Sequence, residues 1–530
     1  MSQTDHIPVK RASTAAETNR LRGHHMQRRA GYQLTNRTPQ TGRVRPTLLG
    51  HASNRRSWLV AALASSSAGL VPLKSLWADT LTALTIEGYA GKVSYRPEEE
   101  LSLHVSTTAP NFSIQITRLG AKSELVFEQA GIAGQASPIP ENASSHGCAW
   151  PALWKMAIPT DWASGYYHVR LFAQSGGGKY TYRGARTAES SCFFIVRAAE
   201  PGKKSRILIQ LSTNTYNAYN NWGGFSLYAY NGLAGVQGNR VSFHRPPASQ
   251  FNNWEHPFVA WAEANGYTLD YAANNDLELH PEELKAYDLV LSVGHDEYWS
   301  AAMRDSLEAF IGDGGNVAFF SGNTCCWQVR NEEQGIAQTS WKQNYVMDPI
   351  YPSKQYALLS TLWSHHLVGR PENQLTGVGF LWGGYHRSHD QFMDGSGAYE
   401  VHRPEHWLFE GTELIQGEQF GGKDTIVGYE CDGCEYELQD GLPVPTGSDG
   451  TPRDFTILAT CPARWHPGDS QFYDRFPSDR VGASVLGTYT RGGTVVTVGA
   501  TDWAHGLQGK DPTVERITKN ILDRLGSDKE

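Results

Sequence analysis

The chain has 530 residues, with 46 Lys and Arg against 54 Asp and Glu, a net charge of −8. Its hydrophobic fraction is 40% and its aromatic fraction 11%, which supports large cores and excludes a globally disordered chain. The length suggests two or three domains, and the acidic balance argues against a nucleic-acid binder, which needs a basic face.

The charge is unevenly spread. Residues 1–57 carry eleven basic and two acidic side chains, a local +9 that leaves −17 for the rest. With little apolar periodicity, 1–54 reads as a basic disordered leader, in which Met26 is a candidate internal start. Segment 55–80 resembles a twin-arginine export signal: Arg55-Arg56 precedes a short apolar run at 58–63 and then small residues. Cleavage after Ala68 or after Ala78 fits equally. An exported protein, periplasmic or extracellular, is expected; the alternative is a cytoplasmic protein with a chance basic–apolar juncture. No stretch approaches the about 20 apolar residues a bilayer requires, so no membrane span is expected.

From 81 to 200 the pattern has period two. Leu101, Leu103 and Val105 alternate with polar residues, as do Phe112, Ile114 and Ile116, and strand-like runs recur at 166–172 and 192–196. This predicts an antiparallel β-sandwich. From 204 to 527 the pattern switches. Continuous apolar runs at 207–211, 289–294 and 317–320 read as strands buried on both faces. Helical stretches at 258–266 and 300–312 separate them, the latter with Met303, Leu307, Phe310 and Ile311 on one face. The alternation predicts a doubly wound parallel sheet. Later strands are expected at 455–459, 483–489 and 494–498, and a closing helix at 513–525. Between 331 and 454 a Gly-, His- and Trp-rich stretch with weak periodicity is expected to be an insertion over the sheet's active edge.

Open α/β sheets bind ligands at the carboxyl ends of their strands. That rule selects STNTYNAYNNWGG (212–224), GHDEYW (294–299) and SGNTCCW (321–327). His295 and Glu297 flank Asp296, so on extended backbone they face one spot, suited to a metal or an acid/base pair. Alternatively, Asp296 or Glu297 caps the next helix. No Walker A, Gly-x-Ser-x-Gly or GxGxxG motif is present. Of seven cysteines, Cys325 and Cys326 are either nucleophiles or inert core thiols. Cys431 and Cys434 form a lone CxxC, incidental or a local redox pair rather than a zinc site, which needs a second pair. His365, His366, His386, His402 and His406 match no helical metal spacing.

The segments TYNAYNNWGG, GHDEYWS, FFSGNT, RPENQLTGVGF, HRPEHWLFEGTEL, GYECDG and VGATDWAHGL occur in this order between Thr215 and Leu507. In them the chain resembles the N,N-dimethylformamidase large (beta) subunit family, in its C-terminal catalytic region. The resemblance implies an Ig-like β-sandwich followed by a glutamine-amidotransferase-like α/β domain. It also implies hydrolysis of a small linear amide at a mononuclear Fe(III) ion held by two tyrosines and one glutamate. Carried over, Glu297 is the carboxylate ligand, Tyr216 one tyrosinate and Tyr167 the other, with Tyr166 adjacent. His295 orients Glu297 or water, Asn323 faces the substrate, and Glu430 is the acid/base. A small partner subunit or a homo-oligomer is implied as well. The competing expectations are a cysteine-type hydrolase using Cys325 or Cys326, and a non-catalytic exported binding protein that keeps the fold. Plain aromatic packing of Tyr167 and Tyr216 also stays open.

Overall fold

The structure, a computed structural model, describes residues 83–175, 186–388, 391–473, 475 and 480–526. The expected leader and the export signal lie outside the described residues.

In Glu100–Thr107 every second side chain, Leu101, Leu103 and Val105, is buried, and Asn111–Leu119 repeats this with Phe112, Ile114 and Ile116. Such alternation gives each strand one apolar face, which must be covered. Two sheets cover one another. One contains Ile86–Ala90, Glu100–Thr107 and Ala152–Ala157. The other runs Ser94–Tyr95, Arg186–Val196, Gly165–Ser175, Asn111–Leu119, Glu124–Ala133. All pairs are antiparallel except the short Ser94–Tyr95 strand, which joins its neighbour in parallel. Leu103, Ile114, Tyr167, Leu171 and Phe194 share the core between them.

The second part is built on a large mixed sheet. Asp270–Ala273, Ile207–Leu211, Leu289–His295, Asn316–Gly322 and Gly493–Thr497 lie side by side in parallel. Beyond them the order continues Val481–Arg491, Thr456–Arg464, Gly379–Tyr385, Glu430–Gly433, all antiparallel. The expected parallel sheet is therefore parallel in one half only. Val481–Arg491 and Gly493–Thr497 meet at a tight turn on Gly492, φ +77°, and a turn without a crossover helix can join only antiparallel strands. Helices Glu255–Ala264, Trp503–Gln508 and Pro512–Leu525 pack on one face, and Ala301–Gly312 on the other. Burial on both faces is why these strands read as unbroken apolar runs.

The stretch 331–454 is more than a cover. It supplies Gly379–Tyr385, Tyr399–Val401 and Glu430–Gly433 to the main sheet. The sandwich docks against helix Glu255–Ala264 and the segment before it: Tyr166 stacks on Phe251 at 3.9 Å, and Arg118 pairs with Glu263 at 2.7 Å. Among the described residues, no helix is long and apolar enough to cross a membrane.

Candidate functional site

Three parallel strands end at one place. Leu289–His295 delivers His295 through Gly294, whose φ is +79° and whose missing Cβ leaves room for the Trp254 side chain, 2.4 Å from where it would stand. Only glycine adopts that backbone without strain or clash. The chain then turns so that Asp296 and Glu297 part company. Asp296 points into the protein and accepts hydrogen bonds from Gln210, from Asn274 Nδ2 at 3.1 Å and from Ser292 Oγ at 2.8 Å. Glu297 points to the opposite side. Neither caps the following helix; Ser300 does, its Oγ accepting from the Met303 N–H at 3.2 Å.

Glu297 sits in a fully buried polar cluster. Its Oε1 accepts from the Tyr228 hydroxyl at 2.6 Å and from Trp327 Nε1 at 2.7 Å. Its Oε2 lies 3.2 Å from His295 Nε2, which is 2.6 Å from Glu430 Oε2. The imidazole thus stands between two carboxylates. Neither Oε2 atom nor either ring nitrogen makes a well-aligned hydrogen bond within the protein. Burial opposes charging His295, but Glu430 and Glu297 outweigh it and push its pKa up to about 10. For Glu297, burial is likewise outweighed by His295, Lys342 and the Tyr228 phenol, which hold its carboxyl below the usual carboxylate range.

Two phenols flank this carboxylate. Tyr219 ends the helix Thr213–Tyr219, which follows the Ile207–Leu211 strand. The loop after it returns Tyr228, with Leu227 N–H bonded to Ala218 O at 3.0 Å. The hydroxyls of Tyr219 and Tyr228 are 2.9 Å apart. Burial first, then the charge of Glu297, raises both phenols well above their ordinary pKa. Behind them lies Lys342, buried, with Nζ 3.2 Å from the Tyr228 ring centre, 4.5 Å from that of Trp327, and donating to the Tyr298 hydroxyl at 2.9 Å. Burial lowers its pKa to about 7.

Asn323 comes from the end of Asn316–Gly322 in a left-handed conformation, φ +51°, and its Oδ1 is buried without a protein partner. Glu430 enters from the edge strand Glu430–Gly433, and the Tyr385 hydroxyl donates to its Oε1 at 3.4 Å. These groups line a cavity of about 410 Å³.

The structure therefore brings Glu297, His295, Asn323 and Glu430 together, and it does not bring Tyr216 or Tyr167 to them. The Tyr216 hydroxyl donates to Glu255, and the Tyr167 hydroxyl to Ala163 O at 2.6 Å inside the sandwich core. Tyr166 bonds Ser249 at 3.0 Å. Among the described residues, Tyr219 and Tyr228 are the linked phenols beside Glu297, and the sequence reading missed them. Tyr219 lies one helical turn beyond Tyr216, so the direction in which the helix faces decides between them. Tyr228 carried no motif signal.

Other candidates take structural roles. Cys431 and Cys434 are buried and free, like the other five cysteines. Burial raises the Cys325 and Cys326 thiols, the reverse of an activated nucleophile. His386 Nδ1 lies 2.7 Å from Pro462 O, His402 Nε2 2.8 Å from Thr460 Oγ1, and His406 Nδ1 accepts from Leu408 N–H. His365 and His366 lie ring to ring, their centres 4.3 Å apart. His280, Glu282 and Glu283 also converge, but Glu283 is engaged by Arg96 and Arg197, each at 2.6 Å.

A mixed α/β protein with a two-sheet β domain, carrying two phenols, two carboxylates and an imidazole at the strand ends, is the class these observations define. Comparison with known proteins narrows it: the profile described as "N,N-dimethylformamidase beta subunit-like, C-terminal" matches residues 113–517, and the chain belongs to that family. It is similar to the N,N-dimethylformamidase beta subunit of Alcaligenes sp, 23% identical over 432 residues, covering 72% of this chain and 55% of the relative. It is also similar to that of Paracoccus aminophilus, 24% identical over 352 residues, covering 60% of this chain and 44% of the relative. The chain thus spans about half the length of these curated relatives. Among solved structures, Spo0M, a sporulation control protein from Bacillus subtilis, gives a TM-score of 0.16 at 16% identity, covering 23% of this chain and 53% of that one.

Proposed function

We propose that this chain is the catalytic part of an amide hydrolase that holds one iron(III) ion between Tyr219, Tyr228 and Glu297. The observation that carries the reading is the convergence of two phenols and a buried carboxylate whose Oε2 has no well-aligned partner. Such a set of hard, ionisable oxygen donors suits a trivalent cation and fits it better than zinc, which favours sulfur and nitrogen. When bound, the ion supplies a Lewis acid for the amide carbonyl.

The chain's own residues do the rest. Asn323 Nδ2 donates to the oxygen on which negative charge develops. Glu430, held by His295 and Tyr385, takes a proton from the attacking water and passes it to the leaving amine. Water adds to the carbonyl carbon, the C–N bond breaks, and a carboxylic acid and an amine result. His295 keeps Glu297 and Glu430 at fixed separation while neutralising part of their charge. Trp327 and Lys342 fix Tyr228 and Glu297 from behind.

The names of the relatives support a partner subunit, and Arg55-Arg56 supports export of a folded, metal-loaded protein. The two-sheet domain is read as Ig-like and the α/β part as glutamine-amidotransferase-like. Elemental analysis with an optical spectrum tests the metal: about one iron per chain and a visible phenolate-to-iron band are expected. Hydrolysis of an amide panel tests the reaction. An iron-free, colourless protein that cleaves amides at full rate overturns the reading, and one stopped by thiol alkylation alone overturns it in favour of Cys325 or Cys326. Iron-free protein that cleaves no amide leaves a binding protein.

A further inference from the structure

Resting on the amide-hydrolase reading, we infer that the substrate is an amide carrying an aromatic ring, rather than a formamide with only methyl substituents. The cavity of about 410 Å³ falls in the range of pockets that enclose drug-sized ligands. A liquid water takes about 30 Å³, so a five-heavy-atom amide leaves most of this space to solvent. Solvent in the site weakens the electrostatic interactions on which the reaction depends.

The reacting groups occupy a small part of the lining. Much of the rest is aromatic. Phe380 and Trp465 lie 4.8 Å apart at a 48° tilt, and Trp327 meets Phe472 edge-on at 6.0 Å. Phe380 and Trp465 are buried within one apolar cluster, Trp327 among them. Tilted rings at such spacings offer a further ring edge-to-face and offset contacts. At the rim stands Tyr230, 73% exposed, with its ring 5.3 Å from that of Tyr228.

An aromatic pocket with carboxylates at its base also suits an alkylammonium group. Here that position is already filled. Lys342 Nζ lies over the rings of Tyr228 and Trp327, both of which donate to Glu297. Those two rings are therefore already covered, and the Phe380 and Trp465 rings are left to meet a ligand. The lining thus suits an aryl group.

The test measures kcat/KM for formanilide, with the ring on nitrogen, N,N-dimethylbenzamide, with the ring on the carbonyl, and N,N-dimethylformamide. At least one ring-bearing amide is expected to exceed N,N-dimethylformamide by tenfold or more, mainly through KM. Phe380→Leu and the exposed-site variant Tyr230→Ala are each expected to cut that ratio at least threefold. If N,N-dimethylformamide equals or exceeds both aryl amides in the wild type, the inference falls while the hydrolase reading stands. If no amide is cleaved by iron-loaded protein, both fall.

Discussion

Asp432 holds the backbone of Asn323: its Oδ1 accepts the Asn323 N–H at 3.0 Å, while its Oδ2 accepts that of Thr324, also at 3.0 Å. The loop it grips contains two left-handed residues, Asn323 at φ +51° and Cys325 at φ +55°. Non-glycine residues persist in that region only when their surroundings enforce it. The CxxC motif therefore matters for the aspartate inside it. Asp432→Asn is expected to lower kcat about tenfold to a hundredfold while iron content stays at the wild-type level, since the positioning of Asn323 is lost and the proposed iron-holding side chains are untouched. Parallel kcat and iron measurements check this; full activity in the variant contradicts it.

Tyrosine substitutions separate the two possible ligand pairs. Tyr219→Phe, Tyr228→Phe and Glu297→Ala are each expected to reduce iron to below about a tenth of the wild-type content and to remove the visible band. Tyr216→Phe and Tyr167→Phe are expected to keep both, because their hydroxyls are engaged by Glu255 and Ala163. Absorbance at equal protein concentration reads the outcome directly.

Lys342 combines burial with a charge, which is costly for the fold. Lys342→Met, of similar shape, is expected to raise the melting temperature of the iron-loaded protein by a few degrees. It is also expected to lower kcat/KM at least tenfold, because Tyr228 and Glu297 lose the cation behind them. Calorimetry and steady-state kinetics on one preparation test both directions.

Glu372 supplies a pH signature away from the proposed iron-holding side chains. It accepts from Ser364 Oγ and from Phe380 N–H at 3.3 Å, and burial pushes its pKa up to about 7 against an ordinary 4.5. The folded state thus binds this proton more tightly than the unfolded state. The contribution to stability is fully present below about pH 4.5 and is lost as pH rises through 7. One proton corresponds to about 1.4 kcal/mol per pH unit across that window. Glu372→Gln is expected to remove this decline, as denaturant titrations at pH 5, 6 and 7 will show.

Much of the scaffold was legible in the sequence because buried parallel strands leave little choice of residue. The run 289–294 and the alternation around Leu103 and Ile114 appear where expected. Gly379–Tyr385, read as GFLWGGY, and Glu430–Gly433, read as ECDG, escaped detection. They carry glycines and acids, and they owe their extended form to neighbours such as Thr456–Arg464 rather than to propensity. At the site, His295 and Glu297 could be named from the residues because they lie at the end of a buried strand, whereas Asn323 and Glu430 were named through the family resemblance. The tyrosines could not be named. Tyr216 and Tyr219 share one helix, and Tyr228 sits on a loop whose course depends on long-range packing.

The kink at Gly294 and the ring-lined wall beyond it come from different layers of the molecule. Strand tips deliver the reacting groups with almost no latitude, since any side chain at position 294 collides with Trp254. The wall, drawn from Phe380, Trp465 and Phe472, belongs to other segments of the chain. Directed evolution toward new substrates should therefore randomise the wall and leave the tips alone. New selectivity is then reached without rebuilding the chemistry beneath it.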